Sequence, residues 1–155
     1  MRNATSQKVS VIIPHHNNYE ILNECIHSLY KNKYPNIEII VVDNNSSDNS
    51  SNEIKKIYND IIVHKSDVNL GYAGGCNAGA KIASGKFLLF LNNDTIHSPN
   101  FINHLVQKIN SDSKIASVQP KIKNYDNQNY FDYAGACGGF IDYLVFPFAR
   151  GRVFN

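Results

Sequence analysis

The sequence predicts an α/β protein built on an open, mostly parallel, twisted sheet with helices on both faces. Short apolar runs rich in valine and isoleucine alternate along the chain with segments whose apolar residues recur at helical spacing. Three of these runs stop abruptly in polar residues, after Ile13, Val42 and Leu91. Because the carboxyl ends of parallel strands meet at one edge of a sheet, this pattern also predicts a ligand crevice at that edge.

The first part of the chain alternates between strand and helix patterns. The predicted elements are a strand at Val9–Ile13 ended by Pro14, a helix at Tyr19–Lys31, a strand at Ile37–Val42, a short helix at Ser50–Tyr58 and a strand at Ile61–His64. Valine and isoleucine runs of this length favour strands, whereas Leu22, Cys25 and Leu29 recur at the spacing of one helix face. Glu20 follows Asn17 by three residues, an arrangement typical of a helix amino terminus.

The next segment is rich in glycine. Asn69–Gly79 is predicted to be a loop that runs into a helix, and Gly85 is predicted to end that helix as the residue after its cap. Phe87–Leu91 is an unbroken apolar run, which predicts a buried parallel strand covered on both faces. These elements continue the alternation of helix and strand.

The remaining elements are less regular. Ser98 and Pro99 predict a helix start, since serine is a common N-cap and proline suits the first helical position. The inner stripe of this helix would be Phe101, Ile102, Leu105, Val106 and Ile109. Ile115–Val118 is predicted to be a strand stopped by Pro120, and Tyr125–Phe140 predicts a hairpin or an irregular region. Residues 146–155 carry apolar side chains that nothing after them would cover, so we expect the chain to stop inside a larger fold and to self-associate through that end.

Composition narrows the class of protein. The 155 residues are 43% hydrophobic and 18% charged, which suits the core of one globular domain. The net charge of +2, without a basic stripe, predicts that the chain does not bind nucleic acid. No apolar run approaches the ~18 residues of a membrane span. Three widely separated cysteines predict reduced thiols in a cytoplasmic protein rather than a disulfide framework or a zinc ribbon.

The polar residues after the run at 87–91 suit a metal ion. Asn92, Asn93 and Asp94 offer two amides and one carboxylate. Mg²⁺ commonly takes one or two protein carboxylates and completes its shell with waters and phosphate oxygens. The alternative is a plain polar turn, and this stretch alone leaves both interpretations open; the agreement with the other strand ends favours a site.

Asp43 ends the second predicted strand. An ionised carboxylate only accepts hydrogen bonds, so it suits the N3–H of uracil or thymine and not the ring acceptor of adenine. The alternative is that Asp43 caps the turn that follows it. Gly71–Gly79 would let backbone amides and a helix amino terminus approach a diphosphate. It is not a dinucleotide-binding fingerprint, because that motif follows the first strand, where this chain has Pro14–Asn17.

The histidines and cysteines predict neither a metal cluster nor a nucleophile. Cys25 and Cys76 lie on the inner faces of predicted helices and are expected to belong to the core. His15 and His16 are expected to line the crevice. The other histidines, expected to be solvated or packed, are His27, His64, His97 and His104.

Four motifs in order carry a resemblance to a known family. They are Val9–Pro14, Ile40–Asp48, Asn69–Gly79 and Leu91–Asp94. Together they resemble family 2 glycosyltransferases with the GT-A fold, a Rossmann-like nucleotide-binding architecture. The amino-acid sequence at Pro120–Ile122 and Ala134–Asp142 is most similar to the rhamnosyltransferase-like branch. The resemblance covers nearly the whole chain.

The resemblance implies a nucleotide-diphosphate sugar donor, either dTDP-rhamnose or a UDP-sugar, and a divalent metal, Mg²⁺ or Mn²⁺. Asp94 would hold the metal, as the one acidic position in the Asn92–Asn93–Asp94 version of the family's DxD motif. Asp43 would meet the base. The residues that the resemblance places along the nucleotide are Pro14, His16, Asn17, Asp43, Asn45, Asn69, Gly71, Asn77 and Asn93.

It also implies an inverting displacement, in which a general base deprotonates an acceptor hydroxyl. In the family this base lies in an acidic motif well downstream of the metal motif. Asp126, Asp132 and Asp142 are isolated, and no matching Glu-Asp pair is present. We therefore assign no catalytic residue and expect the base beyond the carboxyl terminus. Residues 1–120 are then the predicted nucleotide-sugar-binding domain, and 121–155 the start of an acceptor-side region.

The partners that follow are the sugar donor and a glycan or lipid-linked acceptor, in the synthesis of a bacterial surface or cell-wall polysaccharide. We expect a cytoplasmic protein, peripheral at the inner face of the membrane. One alternative function is a nucleotide-binding or assembly module without catalysis. A sugar-phosphate nucleotidyltransferase is disfavoured, because it needs a glycine- and arginine-rich loop after the first strand, where this chain reads PHHNN.

Overall fold

The structure is a computed structural model, and it describes residues 6–132, 139–141, 143 and 147–149. Contacts within the chain divide it into two compact units, Met1–Asn100 and Phe101–Asn155. The sequence placed its boundary at residue 120 instead. The roles predicted for the two regions, donor binding and the start of an acceptor side, stay predictions.

The first unit is a parallel α/β sheet. Its elements are β1 Val9–His15, α1 Tyr19–Tyr30, β2 Ile37–Asp43, α2 Ser50–Ile57, β3 Ile62–Lys65, α3 Gly71–Ile82 and β4 Phe87–Phe90. The four strands lie in the order β3-β2-β1-β4 and all pair in parallel. The predicted fold class and the alternation of strand and helix are confirmed.

The two central strands form the core, and α3 lies directly on them. Ile12, Ile40 and Val42 are fully buried. A Cβ built on Gly79 would come within 2.4 Å of Ile12 Cγ2 and 3.0 Å of Val42 Cγ2, so only glycine allows the helix this close to the sheet. This close packing keeps α3 alongside β1 and β2 and brings its first turn to their carboxyl ends.

β1 continues past the proline that was expected to end it. Pro14 pairs in register with Val42 on the β2 side. The carbonyl of Ile12 accepts a hydrogen bond of 3.0 Å from Leu91 N, so the backbone groups of Ile12 face the β4 side. Because alternate residues of a strand face the same side, Pro14 also faces that side, where the pairing with β4 has already ended at Phe90. The missing N–H of Pro14 therefore costs the sheet no hydrogen bond.

The prediction for the glycine-rich segment is wrong in two respects. Gly71–Ile82 is helical throughout rather than a loop leading into a helix, because its glycines allow close packing instead of breaking the helix. The helix ends at Ile82 with Ala83 as its cap, so Gly85 does not end it. A Cβ on Gly85 would meet the backbone nitrogen of Ser10 at 2.6 Å, which explains a glycine at that position.

The predicted burial of the fourth strand is also wrong. Among the described strands β4 lies at the edge of the four-stranded sheet, and its side chains Leu88 and Phe90 are 44% and 46% exposed. An apolar run looks the same at the centre of a sheet and at its edge, so the sequence could not distinguish them. Ser98 and Pro99 do not start the helix directly, since Pro99 and Asn100 form a turn and the helix begins at Phe101.

The second unit is described in part. It contains α4 Phe101–Ile109 and an antiparallel pair, β5 Gly139–Ile141 with β6 Pro147–Ala149. Of the predicted inner stripe of α4, Ile102 is buried and the other members are half-buried. The predicted strand at Ile115–Val118 is absent, because these residues pair with no strand in the described parts of the unit. Cys137 lies outside the described residues, and of the predicted apolar end at 146–155 only 147–149 are described.

Candidate functional site at the carboxyl edge of the sheet

The loops at the carboxyl edge are tied together by backbone hydrogen bonds. Asn44 N donates to the carbonyl of His15 at 2.8 Å, and Ser66 N donates to the carbonyl of Asp43 at 2.9 Å. The parallel ladder thus extends one step beyond the last paired residues of β1, β2 and β3. The predicted meeting of strand ends at one edge is therefore observed.

Asn17 links the loop after β1 to the loop after β2. Its N–H donates to Ser46 Oγ at 3.0 Å, and its Oδ1 accepts from Ser47 N at 2.8 Å. Its φ is +59°, in the left-handed region that asparagine tolerates better than other side chains. Asn45 has the same conformation, with φ +63°. Asn17 therefore shapes the loops at this edge through its backbone and its side chain, and Asn45 through its backbone.

Asp43 caps the turn that follows it, as the structural alternative proposed. Its Oδ1 accepts from Ser46 N at 2.8 Å, and its Oδ2 accepts from the hydroxyl of Ser51. Burial, at 5% exposure, would raise the pKa of this carboxyl. The hydrogen bonds from Ser51 and Ser46, with the nearby His15, outweigh burial and lower the pKa below its usual value. Asp43 is therefore ionised at neutral pH.

Asn44 is a site residue that the sequence analysis missed. It is 4% exposed, and its Nδ2 donates to the carbonyl of Gly71 at 3.1 Å, which joins the β2 end to the start of α3. Its Oδ1 is buried without a hydrogen-bond partner in the described chain. Gly71 has φ +67°, and its N–H donates to Asn69 Oδ1 at 2.8 Å. A Cβ on Gly75 would meet Pro14 Cβ at 2.9 Å, so α3 also lies close to β1 here.

His15 was expected to line the crevice; the structure buries it instead. It is 1% exposed and contacts Ser50 on α2 and Asn93 after β4. Its neighbour His16 is exposed and contacts the carbonyl of Asn44 through Nδ1 at 3.0 Å. No sequence signal separated the roles of these two adjacent histidines, since strand alternation does not show which polar side chain finds internal partners.

The residues after β4 present one exposed carboxylate. Asp94 is exposed, whereas the carbonyl of Asn92 accepts from Cys25 Sγ at 3.6 Å and from Thr95 Oγ1 at 2.8 Å. Asp94 directly follows Asn93, whose amide contacts His15 at the end of β1.

Asn77 is the predicted site residue that lies farthest along α3. It occupies an exposed position in the second turn of the helix, and no hydrogen bond joins it to the strand ends in the described chain. The structure therefore brings together the predicted residues at positions 14–17, 43–45, 69–71 and 93, with Asp94 exposed next to them in sequence, and leaves Asn77 apart from their hydrogen-bond network.

Comparison with known families agrees with these motifs. A family model described as glycosyl transferase family 2 matches residues 10–150. The chain belongs to glycosyl transferase family 2. The match contains three of the four motifs and all but Val9 of the first, so the site described above lies entirely within the family 2 region.

Named relatives are also glycosyltransferases. The glycosyltransferase GlyG of Streptococcus pneumoniae is 32% identical over 144 residues, which cover 90% of this chain and 44% of that protein. The structure of Staphylococcus aureus TarS 1–349 in complex with UDP matches with a TM-score of 0.62 and 25% identity, covering 74% of this chain and 39% of the other. The chain spans less than half the length of each of these two proteins.

The fold is GT-A. The mannosyltransferase PcManGT of Pyrobaculum calidifontis, solved with GDP-Man and Mn²⁺, has a TM-score of 0.63 and covers 77% of this chain and 35% of its own. At 19% identity this likeness shows the fold alone.

No helix among the described residues is both long and apolar enough to cross a bilayer.

The oxygen atoms at the β4 end suit a metal ion that is coordinated partly by the protein and partly by phosphate, rather than by protein side chains alone. In the part of the chain that the structure describes, no three histidine, cysteine, aspartate or glutamate side chains converge to hold an ion. A single carboxylate beside amide oxygens suits Mg²⁺ or Mn²⁺ that takes its other ligands from a diphosphate and water. Asp94, with Asn92 and Asn93 beside it, offers this donor set.

The two described cysteines are core residues, as predicted. Cys25 is 1% and Cys76 8% exposed. Burial raises the pKa of Cys25 to about 12 and also raises that of Cys76. Both thiols are therefore protonated at neutral pH and poor nucleophiles.

Proposed function

We propose that this chain binds the nucleotide-diphosphate sugar donor of a family 2 glycosyltransferase in the crevice at the carboxyl edge of its sheet. The observation that carries the proposal is the hydrogen-bonded junction of the ends of β1, β2 and β4 with the start of α3. His15 contacts Asn93 across β1 and β4, and Asn44 joins β2 to Gly71 on α3. The UDP complex of TarS, a relative by structure, supports a nucleotide ligand for this architecture.

The base of the donor is proposed to meet Asp43. Each of its carboxylate oxygens accepts one internal hydrogen bond and keeps a further lone pair. Since the lowered pKa keeps this group ionised, it accepts and never donates. The N3–H of uracil or thymine is the complementary edge, so the donor is a UDP-sugar or a dTDP-sugar such as dTDP-rhamnose.

The diphosphate is proposed to lie at the amino terminus of α3. In this 12-residue helix the N-cap residue Leu70 makes no side-chain cap, and the N–H of Gly71 donates to Asn69 Oδ1, so the N–H groups that follow Gly71 in the first turn are those available to an anion. Gly71, in the left-handed conformation, has open space where a side chain would project. A diphosphate there can approach the backbone closely, beside Asp94 at the neighbouring strand end.

Asp94 is proposed to hold Mg²⁺ or Mn²⁺ together with the donor diphosphate. A divalent ion supplies Lewis-acid stabilisation of the negative charge that builds up on a departing diphosphate. The chain's own residues bind and orient: Asp43 the base, α3 the diphosphate, Asp94 the ion. The reaction is proposed to be an inverting transfer to a glycan or lipid-linked acceptor at the inner face of a bacterial membrane, and we assign no general base among the described residues.

Calorimetric titration with UDP and with dTDP, each with and without Mn²⁺ or Mg²⁺, tests the proposal. Binding that requires the metal and is lost in Asp43→Ala and Asp94→Ala is the expected result. Asp112→Ala, which removes an exposed carboxylate of the second unit, is the control and is expected to bind as the unmodified chain does.

Two other results would redirect the assignment. Nucleotide binding that is the same with or without metal, and unchanged in Asp94→Ala, would favour a binding or assembly module without catalysis. Absence of binding to either nucleotide by folded protein would contradict donor binding by this chain.

A further inference from the structure

His15 links two strand ends from inside the protein. It is the last residue of β1 and is 1% exposed. Its Nε2 lies 2.7 Å from Ser50 Oγ on α2, and its Nδ1 lies 3.0 Å from Asn93 Nδ2 after β4. Both ring nitrogens therefore have partners, and the partners lie on different elements.

The direction of these hydrogen bonds follows from the carboxylate at one end. Ser50 Oγ donates its single hydrogen to Asp48 Oδ1 at 2.6 Å, because a carboxylate can only accept. The serine oxygen must then accept from His15, so the proton of the neutral ring is on Nε2. Nδ1 is left as an acceptor, and it accepts from the amide N–H of Asn93.

The charge states at neutral pH agree with this chain of donors. The geometry requires a neutral His15, because Nδ1 lies 3.0 Å from the amide nitrogen of Asn93 and must accept from it, which leaves the ring with the Nε2 proton alone. Burial would raise the pKa of Asp48, but hydrogen bonds from Ser50 and Asn18 lower it on balance. An ionised Asp48 and a neutral His15 are the two states that the hydrogen-bond directions require.

The consequence falls on Asn93, beside the proposed metal ligand. With its Nδ2 bound to His15, the amide keeps its carbonyl oxygen for other partners, and Oδ1 makes no hydrogen bond to another described residue. Were the amide reversed, it would face a ligand with an N–H instead. The orientation of the Asn93 amide therefore decides whether it accepts a hydrogen bond from a ligand or donates one to it.

We propose that His15 is a positioning residue that makes Asn93 present a hydrogen-bond acceptor to the bound donor. The proposal rests on the proposed function and specifies its chemistry: Asn93 receives an electropositive group, a hydroxyl of the donor or a divalent cation, and does not donate to phosphate oxygens. His15 itself touches no ligand. It acts through the chain Asp48, Ser50, His15, Asn93.

The first test is the tautomer of His15, read by two-bond ¹H–¹⁵N correlation NMR on the unmodified chain without ligand. The expected ring carries its proton on Nε2. Ser50→Ala removes the acceptor for that proton and is expected to give a mixture of tautomers. Ser51→Ala is the matched control, because Ser51 is an equally buried neighbour on α2 that contacts Asp43 instead, and it should leave the His15 tautomer unchanged. A proton on Nδ1 in the unmodified chain would overturn the proposal.

The second test is nucleotide affinity, measured by calorimetry with UDP and dTDP, with and without Mn²⁺. His15→Phe keeps a ring but no nitrogen, and it is expected to weaken binding about fivefold or more. His15→Asn keeps an acceptor near the position of Nδ1 and is expected to recover most of the loss. His27→Phe, at an exposed position of α1, is the control for the aromatic substitution.

Comparing the affinities measured with and without Mn²⁺ distinguishes a divalent cation from a donor hydroxyl as the group that Asn93 binds. A loss seen only with Mn²⁺ assigns the acceptor to the cation, and a loss of the same size without it assigns a donor hydroxyl. Equal losses in His15→Phe and His15→Asn would show a role in packing alone and would overturn the proposal. If the unmodified chain has the Nε2 proton but binds neither nucleotide, the proposed function fails and the hydrogen-bond chain stands; if it binds nucleotide with the Nδ1 proton, only this inference fails.

Discussion

Asp43 holds the loop after β2 and, in the proposed function, also meets the base of the donor. Its two oxygens accept hydrogen bonds from Ser46 and Ser51 in a setting that is 5% exposed. Buried donors that lose an acceptor are expensive, so the capping role alone would keep an acidic residue here. In the proposed ligand role Asp43 accepts a third hydrogen bond and keeps the first two.

The exchange Asp43→Asn tests the capping role. Because an amide offers one acceptor oxygen instead of two, one buried donor loses its partner, and the free energy of unfolding should fall by about 1–3 kcal/mol. Urea denaturation at neutral pH measures this, with Asp112→Asn at an exposed turn as the control.

The same difference should depend on pH. Since the folded protein lowers the pKa of Asp43, its stabilisation is complete above the ordinary value of 3.8 and is lost as the pH falls through the lower folded value. A gap between Asp43→Asn and the unmodified chain that stays constant down to strongly acid pH would contradict the assigned ionisation.

At the scale of elements, the contact between α3 and the two central strands positions the site. Gly79 faces Ile12 and Val42, and Gly75 faces Pro14, so one face of the helix carries glycine where it touches the sheet. This close approach sets where the first turn of α3 and Gly71 lie relative to the strand ends. Glycines that looked like a loop in the sequence are the contact surface of a helix.

The exchange Gly79→Ala tests this packing. Its Cβ would lie 2.4 Å from Ile12 Cγ2 in the core, so the helix must move away. We expect a loss of about 1–3 kcal/mol in unfolding free energy, typical of overpacking. We also expect weaker nucleotide binding, because α3 carries the proposed diphosphate contact. Lys81→Ala, at an exposed position of the same helix, is the control; a Gly79→Ala protein as stable as that control would show that α3 does not depend on this contact.

Across the first unit, the two edges of the sheet carry different chemistry. At the amino edge, Glu38 on β2 accepts from Lys8 at 2.5 Å, from Ser10 at 2.6 Å and from Ser84 at 2.5 Å. These bonds join β1, β2 and the segment between α3 and β4, and satisfy the carboxylate internally. The carboxyl edge instead keeps Asp94 exposed and Asn93 Oδ1 without a partner in the described chain. The groups left open for the proposed donor are therefore those at the carboxyl edge.

The Glu38 network should stabilise the unit in a pH-dependent way. Burial would raise the pKa of Glu38, but the hydrogen bonds from Lys8, Ser10 and Ser84 bring it down to about 2. The stabilisation is therefore complete above the ordinary value of 4.5 and is lost as the pH falls through about 2. Glu38→Gln is expected to lower the midpoint of urea unfolding at pH 7 and to approach the unmodified chain near pH 2. An equal midpoint for both proteins at pH 7 would refute this role.

The sequence by itself determined the alternation of strand and helix and the edge at which the motifs meet. Apolar runs such as those ending at Val42 and Leu91 are local signals, and parallel pairing then requires their polar ends to coincide. The motifs also sufficed for the family. Residue roles were partly accessible: Asp43 was assigned both of the functions that its geometry allows, but Asn44 went unnoticed because its partner, Gly71, is distant in sequence.

Only the tertiary structure decided which strand is an edge, which glycines are contacts and which way a hydrogen bond runs. An apolar run does not show where its strand lies in the sheet, so the exposed side chains of β4 could not be predicted. Ile115–Val118 forms no strand because a strand needs a partner, and none of the described strands pairs with it. The buried His15 and the exposed His16 have the same side chain one residue apart. Their different roles depend on Ser50, Asp48 and Asn93, which only folding brings to one of them.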